Sequence, residues 1–164
     1  MAPPIIVADP ATIELSPQPI HPDWILEGKP DARAKFLAYS ADGTSSIMAW
    51  SCTAGRFNWR YTQDETVHII SGEVFITNEK GETIRLGPGD MAFFPAGCIS
   101  MWRVPHEVRK LAVLRHGMPR PLGFALRVWN KLVEIVSVKL GEPMPTHDMP
   151  EPAINVAQFG QRAA

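Results

Sequence analysis

Short apolar runs separated by turn residues fill the middle of the chain, from about residue 36 to residue 115. The turns between them are rich in glycine, proline, aspartate and asparagine, each of which favours chain reversal. Strands spaced this closely indicate an antiparallel sandwich or barrel and not βαβ units. The predicted strands are Phe36–Ser40, Ile47–Cys52, Glu65–Ile70, Val74–Thr77, Thr83–Leu86, Met91–Phe94, Ser100–Val104 and Val108–Leu114.

The pattern changes on both sides of this region. Residues 1–35 are rich in proline, which fixes φ and removes a backbone donor, so they predict an extended, irregular N-terminal arm. In the C-terminal part, 116–164, polar residues recur every three or four positions between Leu122 and Leu140. This spacing predicts a helix over about 122–140 with one polar stripe and a broad apolar face. Pro121 and Gly141 suit its two ends.

Composition narrows the class of protein. The chain has 164 residues, which is typical of one domain, and its formal net charge is −1. That charge gives no reason to expect nucleic acid or an anionic membrane as a partner. No apolar stretch reaches the ~18 residues of a membrane span, and the N-terminus lacks the basic region of a secretory signal. We therefore expect a cytoplasmic protein in which Cys52 and Cys98 are reduced thiols.

Two stretches resemble known motifs. The sequence GRFNWRYTQDETVHIISG, residues 55–72, resembles the first cupin motif, and GDMAFFPAGCISMW, residues 89–102, resembles the second. Together with Val108-Arg109-Lys110 they resemble the small cupins related to the cupin domain of (S)-ureidoglycine aminohydrolase. The resemblance implies an all-β fold: an RmlC-like jelly-roll antiparallel β-barrel over 36–115, followed here by the C-terminal α-helix.

The resemblance also bears on metal binding. Metal-binding cupins carry a His-x-His pair, a glutamate and a second-motif histidine. In this chain Glu65 stands at the glutamate position, Trp59 and Tyr61 at the His-x-His positions and Ser100 at the last, with Met101 near the aminohydrolase's glutamine ligand. Indole and hydroxyl groups do not replace imidazole as ligands for these ions. We therefore expect no bound metal and no cofactor.

The histidines of the chain do not supply a replacement. His68 lies three residues after Glu65, and odd offsets on a strand point to opposite faces. His106 falls in a predicted turn over Val104-Pro105-His106-Glu107, and His21, His116 and His147 lie in the flanking segments.

Strand alternation predicts the residues that line the interior. They are Trp59, Tyr61 and Glu65 from the first motif, Ser100 and Trp102 from the second, and Lys110 from the last strand. A carboxylate and an ammonium among aromatic walls are typical of a small-molecule site. Glu65 and Lys110 are the candidate catalytic residues, and the other four are candidate ligand-binding residues. The alternative is that the aromatics simply fill the core of a small barrel.

Three functions remain open at this stage. One is a protein that binds a small polar metabolite in a metal-free pocket, with or without a reaction. The second is a structural or regulatory homodimeric module, and the third is a metal-dependent enzyme related to ureidoglycine aminohydrolase. The apolar face of the 122–140 helix is too large to leave exposed, so we expect a homodimer in which this helix or the N-terminal arm covers the neighbouring barrel.

Overall fold

The computed structural model describes residues 4–117, 124–125, 127–129 and 131–133. A 3-10 helix spans Pro22–Trp24, and the described residues otherwise form strands and turns up to residue 117. The strands are β1 (Ser16–Pro17), β2 (Ile25–Gly28), β3 (Ala32–Tyr39), β4 (Ser45–Arg60), β5 (Asp64–Gly72), β6 (Val74–Thr77), β7 (Thr83–Leu86), β8 (Met91–Phe94) and β9 (Ile99–Arg115).

Two long strands organise the sheet. β4 has 16 residues and β9 has 17, and they pair antiparallel along their whole length. The first half of β4 pairs with β3, and the second half of β9 pairs with β5. β1 and β8 pair with the outer sides of β3 and β5, so the order is β1-β3-β4-β9-β5-β8. The other halves carry β2 on β4, and β6 with β7 on β9. We call these the first and the second sheet.

A register shift marks the passage from one sheet to the other. On β4 it falls between Thr53 and Gly55, which pair with Glu107 and Val104 of β9. Pro105 lies within this step, and proline cannot donate to a strand ladder. A bulge of this kind bends both strands and increases their twist, so the sheet folds over and encloses one side.

One continuous apolar cluster fills the enclosed side. Its members come from both sheets and include Val67 and Ile69 of β5, Val74 and Ile76 of β6, and Phe57 of β4. They alternate with outward-facing residues along each strand, as the period of two requires. The interior of the fold is therefore a single core.

The predicted antiparallel β-rich fold is confirmed, and the bounds of β6, β7 and β8 agree with the prediction. Four details differ. The predicted strand Ile47–Cys52 is part of the longer β4, Ser45–Arg60. The described strands do not close into a barrel, because β1 and β8 end the hydrogen-bonded path without pairing with each other. The two last predicted strands are one strand, so His106 lies in β9 and not in a turn. Residues 25–28 and 32–35, which the proline pattern placed in the arm, belong to β2 and β3.

The chain divides into two compact units, and all the strands among the described residues belong to the first. Of the second unit, residues 124–125, 127–129 and 131–133 are helical, which agrees with a helix in this range. Phe124, Trp129 and Leu132 are exposed there. The rest of the predicted 122–140 helix lies outside the described residues. None of the described helical segments has the length and apolarity that crossing a bilayer requires.

Candidate functional site in the sheet interior

A buried ion pair joins β5 and β9, two neighbouring strands of the first sheet. Glu65 of β5 is 4% exposed and Lys110 of β9 is 2% exposed. The ammonium Nζ of Lys110 donates to Oε1 of Glu65 at 2.6 Å. Alternation explains why both face inward, since Val67 and Ile69 share the face of Glu65, while Val108 and Ala112 share that of Lys110. A charged pair at this depth is costly to desolvate and needs close geometry to persist.

Three indole rings surround the ammonium of Lys110. Its Nζ lies 4.5 Å from the ring centroid of Trp102, 4.8 Å from that of Trp50 and 5.9 Å from that of Trp59. The ring faces attract a cation through their quadrupoles, and the attraction grows when water is excluded. The indoles and Glu65 therefore share in stabilising the buried charge.

A second polar group lies beside the ion pair. The indole Nε1 of Trp102 donates to the hydroxyl oxygen of Tyr61 at 3.0 Å and to Oγ of Ser100 at 3.1 Å. Ser100 also donates to the Tyr61 hydroxyl oxygen, at 3.4 Å. The Tyr61 ring stacks on Phe94, with centroids 4.5 Å apart and planes 4° from parallel. Burial raises the pKa of Tyr61 far above its ordinary value, so its hydroxyl stays protonated.

Cys52 also lies in the core. Burial raises the pKa of its thiol to about 12, and the nearby Asp31 carboxylate acts in the same direction. Cys98 is less buried, and burial raises the pKa of its thiol as well. Neither environment favours the thiolate that nucleophilic chemistry requires.

Little space remains between these side chains. The gap lined by Trp50, Phe57, Trp59, Trp102 and Lys110 has no part wide enough for a water molecule. Small-molecule sites usually enclose about 300–1,000 Å³. Trp59 is the only one of these five that is not buried, so it is the side chain nearest the solvent.

The interior residues do not fit a transition-metal centre. Of the groups at the four cupin ligand positions, Tyr61 and Ser100 bond to each other and to Trp102, and Glu65 is engaged by Lys110. Within the described residues, no three His, Cys, Asp or Glu side chains converge as metal ligands would. His68 lies on β5 with the opposite parity to Glu65, as the alternation predicts.

The structure brings together all six predicted site residues. Glu65 and Lys110 form the ion pair, Trp59 and Trp102 line it, and Tyr61 and Ser100 join Trp102 in the adjacent hydrogen-bonded group. The sequence analysis missed Trp50 and Phe94. Trp50 lies on the same face of β4 as the buried Met48 and Cys52, so strand alternation could have revealed it. The stacking of Phe94 on Tyr61 depends instead on how β8 lies beside β5, which alternation does not predict.

Comparison with known proteins agrees with this architecture. Residues 39–112 match the family model of the EutQ-like cupin domain. That stretch of the chain is similar to the EutQ-like cupin domain. The match spans both motifs and every strand from β4 to β8.

Solved structures show the same fold. A protein of unknown function of the DUF861 family from Pseudomonas syringae pv. tomato is 24% identical, with a TM-score of 0.60 over 65% of this chain. The chain spans about half of that protein, 46% of its length. A cupin-like protein from Thermotoga maritima is 14% identical, with a TM-score of 0.52 over 63% of this chain and 80% of its own. No curated protein matches the chain. The finer resemblance to ureidoglycine aminohydrolase stays a prediction.

Proposed function

We propose that this cupin domain works as a structural or regulatory homodimeric module whose interior is a packed core and not an open pocket. The observation that carries the proposal is the filled interior. The space beside Lys110 does not hold a water molecule. Glu65 bonds to Lys110, and Tyr61, Ser100 and Trp102 bond to one another. Polar groups that satisfy each other in a dry core hold a single packing arrangement, and they leave few free contacts for a ligand.

The surface available to a partner lies on the outside of the first sheet. One row of paired residues runs from Ile47 of β4 through Val113 of β9 and Thr66 of β5 to Phe93 of β8. The adjacent row runs from Ala49 through Leu111 and His68 to Met91. Phe93 is 62% exposed and Met91 66% exposed, and Ile47 and Val113 are also exposed. We call Ile47, Met91, Phe93, Leu111 and Val113 the outer apolar face.

The composition of this face suits a second copy of the chain. Neither row contains an Asp, Glu, Lys or Arg between β4 and β8. A two-fold interface places each central residue near its own copy, so charges there would repel. Two rows of residues across four strands extend about 15–20 Å. They cover less area than the about 800 Å² per partner of a typical stable interface, so the outer apolar face would form the centre of the interface.

The N-terminal arm covers the neighbouring end of the same sheet. Arg109 lies two residues before Leu111 on β9 and therefore on the same outer side. Its guanidinium donates to the backbone oxygens of Pro10 at 2.7 Å and Ile13 at 2.5 Å. The arm therefore occupies the polar end of this surface and leaves the outer apolar face open.

Sedimentation and native mass spectrometry on the full chain test the proposal. We expect a dimer at micromolar concentrations. Val113→Lys places a charge at the middle of the outer apolar face and should raise the dimer dissociation constant by tenfold or more, because the ammonium would be buried without a partner. Asn58→Lys is the matched control, since Asn58 is exposed on the second sheet. A monomeric full-length chain, or equal weakening by both variants, would contradict the role of this face.

A second candidate rests on the ion pair itself. Buried Glu65 and Lys110 among aromatics are the groups of a small-molecule site, and Trp59 is the partly exposed residue beside them. Rotation of Trp59 would open the interior to a small polar metabolite. The same native mass spectra separate the two candidates. A small additional mass on the protein that disappears in Lys110→Met supports the small-molecule pocket. A mass equal to that of two chains, with nothing bound, supports the homodimeric module.

A further inference from the structure

A groove on the outside of the second sheet carries two guanidinium groups and one carboxylate. It measures about 290 Å³ and is lined by Glu27 and Gly28 of β2, by Ala54, Gly55 and Arg56 of β4, and by Arg103, Val104 and Pro105 of β9. It lies away from the interior and away from the outer apolar face of the first sheet. We propose that this groove binds a small ligand through an oxyanion, a phosphate or a carboxylate, held between Arg56 and Arg103.

The register places the two arginines directly opposite each other. Arg56 of β4 pairs with Arg103 of β9. Their neighbours Phe57 and Trp102 are buried, so alternation directs both arginines to the outside. Directly paired residues have Cβ atoms about 5 Å apart, and like charges at that distance destabilise a sheet. An anion between them converts this repulsion into two attractive contacts.

The carboxylate in the groove does not neutralise both arginines. Glu27 pairs with Arg56 across β2 and β4, and its Oε2 lies 3.7 Å from Nε of Arg56. That distance exceeds a hydrogen bond, and the buried Nε of Arg56 has no hydrogen-bond partner. A buried donor without a partner costs free energy, which an oxyanion in the groove would recover. The described lining therefore has one carboxylate for two guanidinium groups.

Packing against an aromatic ring holds the guanidinium of Arg103 in place. Its Cζ lies 4.1 Å from the ring centroid of Phe75, which is its pair on β6. A guanidinium fixed on an aromatic face keeps its N–H groups in a planar fork, the geometry that binds phosphate and carboxylate with two parallel hydrogen bonds.

Glycines open the floor of the groove. Gly28 has a φ of +82°, and a Cβ on it would lie 3.3 Å from Cα of Gly55. A Cβ on Gly55 would lie 2.9 Å from Pro30. The two backbones approach closely here, so a side chain at either glycine would be strained.

The test is a titration of the full chain at low, constant ionic strength, followed by NMR of the backbone amides and the arginine Nε–H groups. The probes are inorganic phosphate and malonate. We expect saturable shifts at Gly28, Gly55, Arg56 and Arg103 with at least one probe, and the tighter of the two identifies the headgroup. Arg56→Gln and Arg103→Gln should each weaken binding about tenfold or more. Glu27→Gln should strengthen it several-fold, because it removes the only carboxylate of the described lining.

Arg85→Gln is the matched control. Arg85 lies on the same outer side, as the pair of Phe75 on β7, but it already bonds to Glu73 at 2.6 Å. Arg85→Gln should leave the affinity for the probe unchanged. If Arg56→Gln does not fold, Arg56→Lys takes its place, because it removes the guanidinium fork and keeps the charge. Shifts that fail to saturate with either probe would overturn the proposal. Equal losses in Arg85→Gln and Arg103→Gln, or weaker binding by Glu27→Gln, would do so too.

Discussion

At the scale of single residues, the Glu65–Lys110 pair is the most unusual feature of the molecule. Both side chains are almost fully buried and 2.6 Å apart. A buried pair of this kind is weak evidence for stability, because well-packed apolar residues often serve as well. Each partner is nevertheless indispensable to the other, because removing one leaves an uncompensated charge in the core.

We expect this coupling to appear in a double-mutant cycle. Glu65→Gln leaves the ammonium without its counter-ion, and Lys110→Met leaves a buried carboxylate, so each should lower the free energy of unfolding by about 3–5 kcal/mol. The double variant should lose clearly less than the sum of the two. Urea unfolding of the four proteins measures this, and additive losses would show that the pair does not act as a unit.

Tyr61 provides a test that depends on pH. Burial raises its pKa in the folded state, whereas the unfolded chain should titrate near the ordinary value of about 10. The protonated phenol thus contributes stability in full below pH ~10, and the contribution falls as pH rises above that value. The free energy of unfolding should decline by up to about 1.4 kcal/mol per pH unit from this group. Tyr61→Phe should decline less steeply, and parallel profiles between pH 9 and 11 would contradict the buried, protonated assignment.

At the scale of elements, the end of β5 explains why the first motif closes on a glycine. Gly72 has a φ of +73°, and a Cβ there would lie 2.0 Å from the backbone oxygen of Glu107 on β9. The β5–β6 connection therefore approaches β9 so closely at the bulge that no side chain fits.

Gly72→Ala should consequently lower the free energy of unfolding by at least about 2 kcal/mol, the strain of positive φ plus displacement of β9. Gly81→Ala is its matched control. Gly81 has a φ of +82° with no atom within 4 Å of the added Cβ, so it carries the strain of about 1–2 kcal/mol without the clash. Thermal or urea unfolding compares the two, and equal losses would show that the approach to Glu107 does not matter.

At the scale of the whole molecule, the first unit contains its own core. The buried apolar cluster lies between Ile20 and Leu114. A chain ending at Gly117 should therefore fold, with the near-ultraviolet circular dichroism of its packed indoles retained. If the outer apolar face forms the dimer, this truncated chain should still sediment as a dimer. A folded but monomeric truncated chain would instead assign assembly to residues after 117, as the apolar pattern of 122–140 first suggested.

Local alternation was sufficient to predict much of this protein. The period of two along 65–69 and 108–114 placed Glu65 and Lys110 on inner faces, and turn residues bounded β6, β7 and β8. The loop over 61–63 interrupts the alternation between Trp59 and Glu65. These features depend on neighbours in the chain, so they can be read from it. The two motif glycines Gly72 and Gly89 likewise occupy backbone positions with positive φ.

Other features depend on residues far apart in the chain, and only the tertiary structure decided them. The gap beside Lys110 holds no water-sized space because Trp50, Trp59 and Trp102 converge from two strands around one ammonium, a matter of summed volumes and not of alternation. Fusion of the last two predicted strands into β9 follows from its pairing with all of β4. The Arg56–Arg103 pair depends on that register too, since one residue of slip would direct either side chain into the core.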